Sequence, residues 1–248
     1  MKKENSVLCG WIFAYGLAYA FFHIAPAFLS SFRTGPITRG EALDFLTPFV
    51  VIPIAIALYS RVKRVPGMEE LALAKFQKLS SIILILGFIF YVDGHGVHIS
   101  ANSISRLIEG QEGSSLYNAV YLFDEIISHY MWDGGVLLIS LGLIYLARNR
   151  DFGLLSKTQV SLIAAGSVFY GFSFAANGVE GQTVVFTFPA AVAAFFLTLW
   201  LYLKDQKRKN ENPVVLFFLC GYFVAALLFA YWGITHLGFP EFSELGWI

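Results

Sequence analysis

The sequence predicts an all-α membrane protein with seven transmembrane helices, on the basis of its composition and of the length of its apolar segments. Of its 248 residues, 57% are hydrophobic and only 14% are charged, whereas a soluble domain has about 25% charged residues. Basic and acidic residues are equal in number, 17 each, which leaves no basic surface for nucleic acid. These values exclude a soluble enzyme, a disordered chain and a nucleic-acid-binding protein.

Seven apolar segments are each long enough to cross the hydrocarbon core, which requires about 20 helical residues. Their apolar residues are continuous rather than alternating, which argues against transmembrane β-strands. No repeat divides the chain, so residues 1–248 are predicted to form a single transmembrane domain. The fourth segment is longer than a straight span needs, and we expect it to leave the bilayer or to bend near Gly134–Gly135. The segments are Val7–Ser31, Ala42–Ser60, Ser80–Ile104, Leu116–Leu146, Gln159–Ala176, Thr183–Leu203 and Pro213–Leu237.

The distribution of Lys and Arg predicts how the protein is oriented, because cytoplasmic loops carry an excess of these residues. All but three of the 17 lie at the N-terminus or in the loops after the second, fourth and sixth segments, and the exceptions are Arg33, Arg39 and Arg106. The N-terminus is therefore predicted to be cytoplasmic and the C-terminus to lie outside. The short N-terminus and the lack of a targeting signal favour a prokaryotic plasma membrane.

Ionisable residues collect in the half of the membrane that this orientation assigns to the outer leaflet. All five His residues lie there, together with carboxylates on the third and fourth segments. An ionisable side chain costs about 2.5–3.5 kcal/mol in the bilayer core and marks a functional site by default. The residues concerned are His23, His95, His98, His129, His236, Asp93, Asp124, Glu125 and Asp133.

The third and fourth segments are predicted to turn polar faces towards each other. His95 and His98 are three residues apart, and Glu125, His129 and Asp133 follow at intervals of four, so each set lies on one helix face. At 1.5 Å per residue, the polar residues of both segments lie about 9–19 Å below the outer end of their segment. Segments joined by a short loop are usually neighbours, and we expect the two sets to meet.

Facing stripes of His and carboxylate are the way in which helical bundles build metal sites. We predict His95, His98 and His129 as metal ligands, because neutral imidazole binds Zn, Cu, Fe and Ni. Three protein ligands and a water form the open site of catalytic zinc, and the metal lowers the pKa of that water to about 7. Glu125 is the first choice for a fourth ligand or general base, and Asp124 is the second.

Further polar residues are expected around this centre. Asp93 is the third catalytic candidate, because a nearby carboxylate orients a metal-bound His. Glu180 follows the fifth segment, and Trp232 and His236 lie at the end of the seventh. The residues predicted to line the cavity are Asn102, Asp133, Asn177, Glu180, Trp232, His236 and His23.

The predicted function is metal-dependent hydrolysis of a lipid amide or ester that is reached from the outer leaflet. Zinc is the predicted metal, and the partner is a membrane lipid or another small hydrophobic substrate. Three alternatives stay open. A His on the third segment and His129 could ligate a haem, or the site could bind iron, in a redox protein. Membrane Asp, Glu and His residues also mark proton or solute paths, and a receptor that binds a ligand without turnover would have the same features.

Seven spans with His and Asp in their outer halves resemble the zinc-dependent membrane hydrolases typified by alkaline ceramidases and by the progestin and adiponectin receptors. The resemblance implies a zinc ion near one membrane face and a ceramide-like substrate. In those families, one His on an early span and two on the last span, four residues apart, hold the zinc. Here the last span has only His236, and the paired residues are His95 and His98. The resemblance therefore implies an architecture and a class of chemistry, and no ligand position carries over.

Overall fold

A computed structural model of the protein describes residues 2–29, 33–34, 37–67, 70–206 and 211–247. Apart from one two-residue β-hairpin, the regular structure in these ranges is helical. Seven helical stretches of the described chain are long and apolar enough to cross a membrane, which confirms the all-α class and the predicted number of apolar helical stretches. The helices are α1 (Lys2–Ile24), α2 (Arg39–Phe45), α3 (Thr47–Lys63), α4 (Glu70–Ser105), α5 (Ser115–Tyr121), α6 (His129–Ala147), α7 (Lys157–Glu180), α8 (Val184–Gln206) and α9 (Pro213–Thr235), with a 3₁₀ turn at Ala27–Leu29, a π-helix at Leu122–Ser128 and strands β1 (Arg33–Thr34) and β2 (Ile37–Thr38).

Polar side chains fix where several helices begin. Thr38 and Glu41 form a capping box at α2, and Ser156 and Gln159 form one at α7. At α9 the side chain of Asn212 accepts bonds from the first backbone N–H groups. These side chains satisfy donors that have no partner within the helix, so each helix has a defined first turn.

Glycines bring α4 and α6 into direct backbone contact, and this is the most extensive helix pair of the fold. A Cβ on Gly94 would lie 2.6 Å from the backbone nitrogen of Trp132, and one on Gly135 would lie 2.5 Å from that of Tyr91. Gly96, which also flanks His95, would meet nothing within 4 Å. Small residues at such crossings let helix backbones approach closely. The contact holds the His-bearing faces of α4 and α6 side by side.

The fourth span departs from α geometry at the π-helix Leu122–Ser128. We expected this segment to leave the bilayer or to bend near Gly134–Gly135; α6 is one continuous helix through these residues, and Gly135 makes the contact with α4. Hydrogen bonds from i to i+5 add about one residue to each turn, so Asp124 and His129, five residues apart, come onto one face. In an α-helix, five residues would turn them about 140° apart. The π-helix therefore adds Asp124 to the polar face.

Buried polar side chains stabilise the end of the bundle where α3 and α6 finish and α9 begins. Arg150 is fully buried, and its guanidinium donates to the carbonyl oxygens of Lys63 and Leu146, at 2.9 Å each. Asn212 Nδ2 donates to the carbonyl oxygen of Ala147 at 2.9 Å. These bonds connect the C-terminal ends of α3 and α6 with the start of α9.

Candidate functional site

A polar cavity of about 670 Å³ lies at the end of the bundle where α4 and α7 finish. It is bounded by α2, α4, the π-helix, α6 and the end of α7. The structure therefore brings together most of the residues chosen from the sequence. Those that line the cavity are His23, His98, Asn102, Asp124, Glu125, His129, Asp133, Asn177 and Glu180.

Trp132 lies at the centre of the histidines. Its ring centroid is 3.9 Å from that of His95, 5.0 Å from His23, 5.8 Å from His98 and 5.9 Å from His129. Sequence reasoning passed over this residue because an indole counts as an apolar span residue. The signal that could have found it is its position on α6, three residues after His129 and one before Asp133, which places it next to the polar stripe.

His98 and Asp124 form a close pair between α4 and the polar face of the fourth span. His98 Nδ1 lies 2.9 Å from Asp124 Oδ1, an ion-pair distance, although the two atoms are not aligned for a linear hydrogen bond. Each atom is therefore the other's nearest partner of opposite charge when His98 is protonated. Both residues line the cavity, so the pair is accessible to a group that enters it.

His129 and Glu125 form a second pair beside the first. His129 Nε2 lies 3.8 Å from Glu125 Oε2, and the ring centroids of His129 and His98 are 4.9 Å apart. The other ring nitrogen of His129 packs against Gly181, where a Cβ would lie only 2.5 Å from it. His129 is thus turned so that Nε2, and not Nδ1, is available to the group around Glu125.

The two pairs do not make a closed metal site. In the described part of the chain, no group of three or more His, Cys, Asp or Glu side chains is arranged to hold a metal ion. The zinc prediction therefore stays a prediction. The structure provides two adjacent His–carboxylate pairs, and binding a cation would require side-chain rotation within the cavity.

His23 has a fixed neutral tautomer. Its Nδ1 lies 2.6 Å from the backbone oxygen of Tyr19 and must donate to it. Its Nε2 therefore accepts, from Trp132 Nε1 at 3.1 Å and from the Tyr91 hydroxyl at 3.2 Å. Both ring nitrogens are occupied, so His23 supports Trp132 and does not offer a metal a lone pair.

Replacing His23 by phenylalanine tests this assignment. The ring stacking is kept, but the Trp132 N–H and the Tyr91 hydroxyl lose their acceptor, which costs about 1–3 kcal/mol per buried group. We expect a lower melting temperature and an unchanged metal content in the purified protein. Loss of a metal that the wild type holds would show instead that His23 is a ligand.

His95 lies behind Trp132 and does not line the cavity. It is 1% exposed, and neither ring nitrogen has a hydrogen-bond partner. Its nearest carboxylate is Asp44 of α2, with Nδ1 and Oδ1 3.6 Å apart. Asp44 does line the cavity, and Thr47 donates to it at 3.2 Å. Sequence reasoning left Asp44 out, because only the packing of α2 against α4 brings it to the site.

Two other carboxylates predicted for the centre have different surroundings. Asp93 is exposed, and two residues rotate a helix by about 200°, so it lies on the face of α4 opposite His95. It is not among the residues that line the cavity. Asp133 does line it; this carboxylate is buried and accepts a hydrogen bond from the hydroxyl of Thr183. Asp133 thus connects the floor of the site to the start of α8.

An apolar cleft of about 460 Å³ adjoins the polar cavity. Both are lined by His23, Ala27, Asn177 and Glu180. Trp232 belongs to this cleft, and its Nε1 donates to the backbone oxygen of Pro240 at 2.9 Å. His236 packs on Trp232, with ring centroids 4.1 Å apart and the rings tilted by 43°, and lines neither space. The aromatic and aliphatic walls include Phe28, Phe172, Leu228, Tyr231, Trp232, Phe242 and Trp247.

A group of buried tyrosines extends from His23 into the bundle. Tyr19 packs on His23 and on Tyr170, with ring centroids 4.1 and 5.0 Å away. The hydroxyl of Tyr170 lies 2.8 Å from Ser140 Oγ and 3.1 Å from the hydroxyl of Tyr222. A search of the sequence for charged and His residues misses these phenols, which make the centre of the bundle more polar than the sequence suggests.

Comparisons with protein-family models, with curated proteins and with solved structures found no match.

Proposed function

We propose that the protein is a metal-dependent hydrolase that cleaves an amide or ester bond of a membrane lipid. The observation that carries this proposal is the joining of two spaces with different chemistry. One contains paired His and carboxylate side chains, and the other is an apolar cleft that shares four lining residues with it. An amphiphile could place its chain in the cleft and its polar linkage beside the His–carboxylate pairs.

The proposed metal ligands are His98, His129 and Asp124. The buried Nδ1 of His98 and Oδ1 of Asp124 are 2.9 Å apart on residues that line the cavity, and a cation bound there would take both atoms as ligands. Zinc commonly takes two or three His nitrogens with a carboxylate oxygen. We leave His95 out of this set because it lies behind Trp132, outside the cavity.

Glu125 is proposed as the general base. It lines the cavity, is half-buried, and lies 3.8 Å from His129 without a close hydrogen bond, so its carboxylate is free to take a proton. A bound zinc ion would acidify water and polarise a carbonyl group. Glu125 would take the proton from water as the water oxygen bonds to the carbonyl carbon. The C–N or C–O bond then breaks, and Glu125 returns the proton to the leaving amine or alcohol, releasing a fatty acid.

We also propose that the cavity faces the outer side of a plasma membrane. The support is the distribution of Lys and Arg along the sequence, since the loops on the side assigned to the site contain Arg33, Arg39 and Arg106. The N-terminus and the loops after the second, fourth and sixth segments contain the other fourteen of the 17 basic residues. By the positive-inside rule, the end rich in Lys and Arg is cytoplasmic.

Turnover by purified protein tests the proposal. The substrates are a long-chain ceramide and a long-chain monoacylglycerol in detergent micelles, and the measured product is the released fatty acid. We expect release from at least one of them, its loss after treatment with a chelator, and its recovery when zinc is added back. No release from either with added zinc would overturn the hydrolase proposal. A strong absorbance near 400 nm, roughly where a His-ligated haem absorbs, would favour the redox alternative.

A further inference from the structure

We infer that the apolar cleft binds one acyl chain of a lipid, with the chain's carbonyl group held at Asn177, where the cleft meets the polar cavity. This inference rests on the proposed function and names the part of the substrate that each space receives.

The walls of the cleft suit a hydrocarbon chain. They are formed by side chains such as Phe172, Leu228 and Trp232, and the cleft opens between α1, α7 and α9. At its edge, Phe28 and Tyr231 are 67% and 62% exposed. On helices long and apolar enough to span a membrane, such exposed apolar side chains face lipid, so the cleft can be entered from the bilayer.

The size of the cleft fits a single chain. A methylene group occupies about the same volume as a water molecule, roughly 30 Å³. A cleft of about 460 Å³ is therefore comparable in volume to about 15 methylene groups, which is one long acyl chain.

Asn177 is placed to recognise the carbonyl group. It lines both spaces, and its buried Nδ2 makes no close hydrogen bond, although Tyr19 interacts with the same side chain. An amide has two N–H groups, so a lipid carbonyl oxygen at the junction would accept from one of them even with Tyr19 engaged by the other. The neighbouring Glu180 is differently engaged, because its carboxylate accepts bonds from the backbone N–H groups of Phe242 and Ser243, at 2.7 and 3.4 Å. Those bonds hold Phe242 against the cleft as part of its wall.

Photolabelling tests the inference independently of turnover. The probe is an N-acyl ethanolamine with a 16-carbon chain and a diazirine near the chain end, applied to purified protein in detergent, and labelled residues are mapped by mass spectrometry. We expect labels on cleft residues of α7 and α9. Inhibition of labelling by unlabelled analogues should become stronger with chain length up to about 15 methylene groups and then level off.

Ala176→Phe and Ala165→Phe form a matched pair on α7. Ala176 lines the cleft, and Ala165 lies three turns away, outside it and exposed. We expect Ala176→Phe to reduce labelling about tenfold, because an added ring has no room in an occupied cleft, and Ala165→Phe to leave it unchanged. Asn177→Leu should weaken labelling by the ethanolamide, with no effect on labelling by the corresponding hydrocarbon diazirine.

The outcomes separate this inference from the hydrolase proposal. Equal labelling of the two alanine variants, or labels spread over the lipid-facing surface of all helices, would overturn the acyl-chain site. Labelling confined to the cleft in a protein without turnover would keep the chain site and remove the hydrolase. His98→Ala should label as well as the wild type, since His98 does not line the cleft.

Discussion

Replacing Gly94 by alanine is expected to have the largest effect on stability of any single added methyl group in α4. The new Cβ would lie 2.6 Å from the backbone nitrogen of Trp132 and 2.8 Å from the backbone oxygen of Ser128, and neither atom can rotate away. Overpacking against a side chain costs about 1–3 kcal/mol, and a clash with the backbone is expected to reach or exceed the upper end. A thermal melt in detergent should shift down by at least about 5 °C.

Gly96→Ala is the matched control, two residues along the same helix. A Cβ there meets nothing within 4 Å, and alanine is the better helix former by about 1 kcal/mol. We expect an unchanged or slightly raised melting temperature. Equal destabilisation by the two substitutions would contradict the α4–α6 contact on which the site depends.

His98→Ala and Asp124→Asn are expected to have the largest effects on activity. His98→Ala removes the Nδ1 atom that lies 2.9 Å from Asp124 Oδ1, and Asp124→Asn replaces the charged carboxylate of that pair by a neutral amide. Even residues that only orient ligands change metal affinity or activity by 10–100-fold, so removal of a ligand should reduce kcat/KM by more than about 100-fold. The kcat/KM of the double variant should be no lower than that of the less active single variant, because both changes remove the same site.

Glu109→Gln is the control for the loss of a carboxylate. Glu109 is exposed and lies outside the cavity, so its substitution should leave kcat/KM and the melting temperature unchanged. A His98→Ala protein with near-normal turnover and a normal melting temperature would contradict the assigned ligand. A variant that fails to fold is recognised by its melting curve, and the conservative His98→Gln then replaces it.

Much of the fold could be predicted because the apolar segments are long and uninterrupted. The seven predicted segments correspond to the seven spans, since twenty apolar residues allow few alternatives. The boundaries differ most where a helix continues beyond the apolar segment. The third segment was predicted as Ser80–Ile104, but α4 starts at Glu70. The residues before Ser80 are too polar to be recognised as part of an apolar segment, yet they continue the same helix.

The candidate site could be predicted only in part. Helix rise and period were enough to expect His98 and His129 near each other, and their rings lie 4.9 Å apart. The role of Asp124 depends on a π-helical turn that nothing in the local sequence specifies. Asp44 reaches His95 only because α2 packs against α4, and such tertiary contacts leave no periodic signal.

His23 shows why residue type alone does not assign a role. Its position in a polar cluster made it a cavity residue in the sequence interpretation, and it does line the cavity. Its bonds to Tyr19, Tyr91 and Trp132 occupy both nitrogens. Whether a His can bind a metal or only positions its neighbours depends on the hydrogen-bond partners of its ring nitrogens. For His23 these partners come from three helices, so the sequence alone does not identify them.

The central claim is that His98, Asp124 and His129 hold a metal ion. Total-metal analysis by plasma mass spectrometry, on detergent-purified protein, tests it most directly when wild type, His98→Ala and Glu109→Gln are prepared in parallel. The account predicts about one zinc per chain in wild type and in Glu109→Gln, and little in His98→Ala. Wild-type protein that remains metal-free after incubation with zinc, or a His98→Ala protein that keeps a full equivalent, would contradict it.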